Sequence, residues 1–127
     1  MVAVKITTYA TLFLVPVITY IIGISVKKNP PKEINKIKGY RSALSMASQE
    51  AWDYANGRLG ELMLKGSLYS LIAGVIGLII LLIINLPTDA ILFPILISAV
   101  MLIQAVVMII PTTRIERELR EEVYKNK

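Results

Sequence analysis

The sequence predicts an all-α integral membrane fold. It has three transmembrane helices, a cytoplasmic amphipathic helix between the first and second, and a short cytoplasmic C-terminal helix. Three observations predict it. The 127 residues are 55% hydrophobic and 18% charged, too apolar for an ordinary soluble domain. Three uncharged runs, Ile6–Val26, Gly66–Thr88 and Ala90–Thr113, each exceed the roughly 20 residues a helix needs to cross a bilayer. None alternates as a barrel strand does, and an open strand edge would leave backbone groups unpaired in lipid. One membrane domain, residues 1–127, is the reading that follows.

The first span covers about residues 6–26. Its apolar region is too long for a signal peptide, and Lys27-Lys28 stand where a small-residue cleavage site would be, so it reads as an uncleaved span. The second and third spans cover about 67–87 and 90–111, joined by the tight loop "NLPTD" into an antiparallel hairpin. Basic residues crowd the segment 27–65 (Lys27, Lys28, Lys32, Lys36, Lys38, Arg41, Arg58, Lys65) and the tail 112–127 (Arg114, Arg117, Arg120, Lys125, Lys127). The tight loop has none and the N-terminus only Lys5. This asymmetry places the segment 27–65 and the tail in the cytoplasm, and the N-terminus and tight loop outside. It also assigns the net charge of +5 to a lipid surface rather than to nucleic acid.

Within the spans, Gly66, Ser70 and Gly74 recur at spacing four, as do Ala73 and Gly77. Small residues at that period let helix backbones approach in lipid. Packing inside the chain is the favoured reading, with a homodimer seam as the alternative. Pro16 and Pro94 remove backbone donors and predict kinks. Gln104 is the one amide deep in a span and reads as an interhelical hydrogen bond rather than a ligand contact. No Asp, Glu, Lys or Arg lies inside a span, which argues against ion-coupled transport.

The segment 27–65 opens with Asn29-Pro30-Pro31, which stops the first helix, and Gly39 marks a turn. Ser42 or Ser45 then caps an amphipathic helix running from about Ser45 to Leu64. Leu44, Ala47, Ala51, Trp52, Ala55, Leu59, Leu62 and Met63 form its apolar stripe. It is expected to lie along the cytoplasmic interface, with Trp52 and Tyr54 near headgroup depth and a bend near Gly66 into the second span. Two readings of its polar residues stay open. In one, Arg41 pairs with Asp53 or Glu50 and the segment is a connector. In the other, Tyr40, Arg41, Trp52, Asp53 and Asn56 form a polar-aromatic site in which Arg41 holds a phosphate or carboxylate.

The tail "PTTRIERELREEVYKNK" begins with Thr113-x-x-Glu116, a capping-box pattern. Glu116–Arg120 and Glu121–Lys125 are i,i+4 pairs in the favourable order. Ile115, Leu119 and Val123 form a narrow stripe that can dock on the amphipathic helix; the charges read as a solvated face.

Cysteine and histidine are both absent, which removes thiolate chemistry, the usual zinc ligands and the commonest neutral-pH base. No catalytic residue, metal site or cofactor is assigned.

The stretch "NKIKGYRSALSMASQEAWDYANGRLG" resembles the signature of the SdpI-like family. The matching positions are Asn35, Gly39, Tyr40, Arg41, Ser45, Met46, Trp52, Ala55, Asn56 and Gly60. The family's order of one span before this stretch and a hairpin of spans after it also matches. Ser42 stands where the family usually has threonine. Ala43 and Ala47 stand where proline or a basic residue is common, so this segment is less cationic than usual. The resemblance implies a bacterial plasma-membrane immunity protein without catalytic activity. It would protect against a secreted membrane-active toxic peptide, by meeting the peptide or its membrane target. It also admits a signalling role in which a cytoplasmic repressor is sequestered at the membrane. A lipid-headgroup-binding protein, with Arg41, Asp53 and Asn56 at the headgroup, is the remaining alternative.

Overall fold

The computed structural model describes residues 2–125, so Lys127 of the basic tail lies outside the described residues. The described residues are helical or irregular, and three helices are long and apolar enough to span a membrane: Val2–Lys28, Gln49–Ile84 and Leu92–Val123. The central helix, Gln49–Ile84, is the one against which both others pack.

The first helix contains a 3-10 turn, Thr11–Phe13, just before Pro16. Proline carries no N–H, so Pro16 cannot return the usual bond to the Leu12 carbonyl one turn back. Gln104 on the third helix fills that role. Its Nε2 donates to the Leu12 carbonyl at 2.6 Å and to the Ser70 carbonyl at 3.0 Å, joining all three spans. Gly74 makes room for it, since a Cβ there would lie 2.4 Å from Nε2. The predicted irregularity at Pro16 is therefore present. Pro94 instead is the third residue of the regular Leu92–Ile109 stretch, where the N–H has no intrahelical partner to lose, and it interrupts nothing.

The small-residue face is used within the chain. A Cβ on Gly66 would lie 2.3 Å from the Met108 carbonyl, and one on Gly77 2.6 Å from Val100. On the first-helix side, a Cβ on Gly60 would lie 2.5 Å from the Lys27 backbone nitrogen. Ser70 is fully buried between the helices.

The expected bend near Gly66 does not occur. The amphipathic stretch is not a separate interfacial helix but the extension of the second span, in one 36-residue helix. A bend at Gly66 would free backbone groups at the membrane edge and break the close approach to Met108, and nothing there would compensate. The helix starts at Ser48, whose Oγ accepts from the Ala51 N–H at 3.1 Å. Ser42 caps a separate four-residue helix, Ala43–Met46, in a reciprocal box with Ser45. The central helix ends at Ile84. Asn85 follows in the left-handed region (φ 49°), its N–H bonded to the Leu81 carbonyl.

The tail also continues its span. Beyond Ile109 the chain passes through a 3-10 turn, Ile110–Thr113, into Arg114–Glu118 and a π-helical turn, Leu119–Val123. The capping box at Thr113 is not formed, because a helix that does not start there has no orphan N–H to cap. Thr113 Oγ1 instead donates back to the Ile110 carbonyl. The Glu116–Arg120 and Glu121–Lys125 pairs are not among the ion pairs of the described residues. The stripe docks as expected: Ile115, Leu119 and Val123 pack on Ala51, Ala55 and Leu62 of the central helix.

The N-terminus and the 85–91 loop share one end of the bundle, tied by Lys5 Nζ donating to Asn85 Oδ1 at 2.8 Å. The linker 29–48 and the tail share the other.

A double-mutant cycle tests the Pro16–Gln104 compensation. Gln104→Leu should cost about 1 kcal/mol in the wild-type background. In Pro16→Ala, which restores the backbone N–H, most of that cost should vanish. Unfolding in mixed micelles measures it, and equal costs in both backgrounds would remove the compensation.

Candidate functional site

The site at the linker end is built on the protruding part of the central helix, residues 49–65. Asn56 lies on that part and is buried. Its Oδ1 accepts the Tyr40 backbone N–H at 2.7 Å, and its Nδ2 donates to the Trp52 carbonyl at 3.1 Å. Gly39 precedes that junction with φ +96°, and a Cβ there would sit 2.3 Å from Asn56 Oδ1. Both its backbone conformation and the space it leaves require glycine.

Trp52 is fully buried and donates from Nε1 to the Pro31 carbonyl at 2.8 Å. It was expected at headgroup depth. The helix turns its apolar stripe toward the linker and tail, so Trp52 is covered by protein. Ser45 donates to the Tyr40 carbonyl at 3.0 Å and accepts the Ser42 N–H at 2.8 Å. Asn35 shapes the turn before them, its Oδ1 accepting the N–H groups of Ile37 (2.9 Å) and Lys38 (2.7 Å).

Arg41 and Asp53 do not pair. Arg41 donates to the Lys36 carbonyl, and Asp53, exposed, accepts from Gln49 Nε2 at 2.8 Å. Tyr40, Trp52 and Asn56 are thus brought together, while Arg41 and Asp53 lie on the outside of the assembly.

The tail completes the site with residues that read as a solvated face. Tyr40 Oη donates to Glu116 at 3.0 Å. Arg58 holds Glu118 through two bonds of 3.0 Å and Glu61 through one of 2.9 Å. Tyr54 Oη adds a bond to Glu118 at 3.1 Å, and Tyr124 Oη donates to the Leu44 carbonyl at 2.7 Å. Apart from Arg58–Glu61, an i,i+3 pair on the central helix, these partners lie 60 to 80 residues apart in the chain, and no local spacing announces them. The available signal was that Glu116 and Glu118 flank the tail's apolar stripe.

Electrostatics follow from this geometry. Burial, and then the Glu116 carboxylate, push the Tyr40 phenol up to about 12. The Arg58 guanidinium holds the Glu118 carboxyl below its ordinary value of 4.5 despite burial. Among the described residues no cluster of three Asp or Glu could hold a metal ion. Chemically, the arrangement fastens linker, central helix and tail to one another.

Two tests follow. Asn56→Leu leaves the Tyr40 N–H without its partner, at about 1–3 kcal/mol. Trypsin should then cut faster at Lys36 and Lys38, whereas the exposed Asp53→Asn should leave cleavage within about 0.5 kcal/mol of wild type. Unchanged cleavage in Asn56→Leu would contradict the clamp.

Tail docking should also depend on pH at both extremes. Glu118, whose folded value is depressed, stabilises docking above 4.5, and this is lost as pH falls through the lower folded value. Tyr40, whose folded value is raised, contributes fully below 10, and this is lost as pH rises toward about 12. A distance probe between linker and tail should show Glu118→Gln removing the acid arm and Tyr40→Phe shrinking the alkaline one.

Comparison with known proteins places this geometry. Residues 32–113, more than half the chain, match the model of the SdpI/YfhL protein family. That range holds the Gly39–Tyr40–Asn56 junction, the whole central helix and the third helix as far as Thr113, while Pro31 and the tail partners Glu116 and Glu118 lie outside it. A curated protein of Bacillus subtilis (strain 168), described as uncharacterized protein YfhL, is 44% identical over 48 residues. The match covers 38% of this chain and 44% of that protein, so the chain spans less than half the length of this relative. No solved structure matches. With the signature residues and the spans around them in place, the chain belongs to the SdpI/YfhL family.

Proposed function

We propose that this protein is a non-catalytic, multi-pass immunity protein of the bacterial plasma membrane. It protects the producing cell against a secreted, membrane-active toxic peptide. Family membership together with the internal use of the signature carries this reading: Tyr40, Trp52 and Asn56 hold the linker to the central helix and tail, Gly39 permits the turn between them, and Ser45 braces the linker itself. Such residues fix a shape rather than perform a chemical step.

The basic segment 27–65 and the basic tail share one end, and the positive-inside rule puts that end in the cytoplasm. The N-terminus and the 85–91 loop then face outside. A peptide arriving from outside meets the lipid-facing helices first, and the cytoplasmic clamp keeps the central helix in place behind them. A signalling role is the second reading. The observation favouring it is Ile37, 84% exposed between Lys36 and Lys38 on the outer side of the clamp, where a cytoplasmic regulator could dock.

Expression in a peptide-sensitive strain lacking its own immunity protein tests the proposal. Survival should rise in the presence of a cognate peptide, and Asn56→Leu should lower protection in proportion to loss of folded protein. Unchanged killing across a panel of related peptides, with membrane expression verified, would overturn the immunity reading. Protection abolished by Ile37→Glu at full protein level would favour the regulator instead.

A further inference from the structure

On its linker side, the seam between the first and central helices is open. A groove of about 300 Å³ lies there, lined by Pro16, Val17, Tyr20, Leu64, Ser67 and Leu71. Helix contacts fix its depth: Gly23 faces Leu64, and Gly60 faces the backbone of Lys27. The groove therefore begins about one turn below Lys27 and runs toward the membrane centre. From Leu64 to Leu71 it extends roughly 10 Å along the helix axis. That accommodates part of one acyl chain and is too small for a helix, whose diameter with side chains is about 10–12 Å.

Three lysines flank the linker end of this groove. Lys27 and Lys28 close the first helix, Lys65 follows Leu64, and all three are exposed. Among the described residues no carboxylate forms an ion pair with any of them. Glu61, one turn from Lys65, is held by Arg58 at 2.9 Å. Lys65 starts deeper in the membrane than Lys27, so its side chain reaches outward to the headgroup layer, as lysines near span ends do. The negative end of the first helix also points here, so the lysines, not backbone N–H groups, must draw an anion.

We propose that this groove binds one anionic glycerophospholipid. An acyl chain lies between Val17 and Tyr20 on one wall and Leu64 and Leu71 on the other, and the phosphate sits among Lys27, Lys28 and Lys65. The apolar wall alone would take any chain; the unpaired lysines at its headgroup end select an anionic one. This site is independent of the immunity reading, and either can hold without the other.

Native mass spectrometry of the detergent-purified protein, titrated with equal phosphatidylglycerol and phosphatidylcholine, tests it. Wild type should retain one phosphatidylglycerol in preference. Replacing Lys27, Lys28 and Lys65 by Gln should reduce that preference by about fivefold per lysine, since each basic residue near an anionic surface contributes on that scale. Val17→Trp, and separately Leu71→Trp, should fill the groove and lower retention of both lipids while circular dichroism shows native helicity. Equal retention of the two lipids by wild type would overturn the proposal. So would undiminished phosphatidylglycerol retention in both tryptophan variants with helicity intact.

Discussion

The side-chain amide of Asn56 holds a linker N–H, that of Tyr40, for which the helix itself offers no partner, and braces itself on the Trp52 carbonyl of its own helix. It accepts the Tyr40 N–H and donates to the Trp52 carbonyl while itself buried. Through the first bond the linker is fixed to the central helix. Gly39 can then turn only as its positive φ allows, and Tyr40 is directed at Glu116 on the tail. Trp52, one turn earlier, fastens the linker a second time at Pro31. Removing the amide would leave a half-buried donor unpaired as well as losing a bond, which adds to the cost of the lost hydrogen bond.

The membrane part rests on a comparable exchange. Pro16 leaves the Leu12 carbonyl without its helical donor, and Gln104 supplies one from another helix through the gap left by Gly74. In lipid no water can satisfy such a carbonyl, so the amide sets the register of three helices at one level. Glycines at 60, 66 and 77 then let the flanking helices meet the central one closely above and below that level. The two polar centres, Asn56 near the surface and Gln104 within the spans, sit on opposite sides of the Gly60–Gly66 approach.

The sequence made the three spans legible because a long apolar run has few alternatives in a bilayer. The stripe of Ile115, Leu119 and Val123 was legible for a similar reason, since periodicity reports a buried face whatever covers it. Gln104 could be assigned an interhelical bond, though its partner could not be named. Helix continuity was not legible at Gly66 or Thr113. Glycine and threonine carry local signals for bends and caps, and these are overridden when the backbone is already paired in a longer helix. Charge partners were the least legible part. Arg58 and Glu118 meet only because two helices are docked, so composition suggested Arg41 and Asp53 as readily as the pair that forms.

The unbroken central helix also acts as a stiff rod. Its protruding part, residues 49–65, extends about 25 Å beyond the apolar run at the usual rise per residue. With no joint along it, a tilt imposed on the membrane half swings the far end sideways by an amount proportional to that length. Linker and tail are both bonded to the far end, so such a swing would carry the two together.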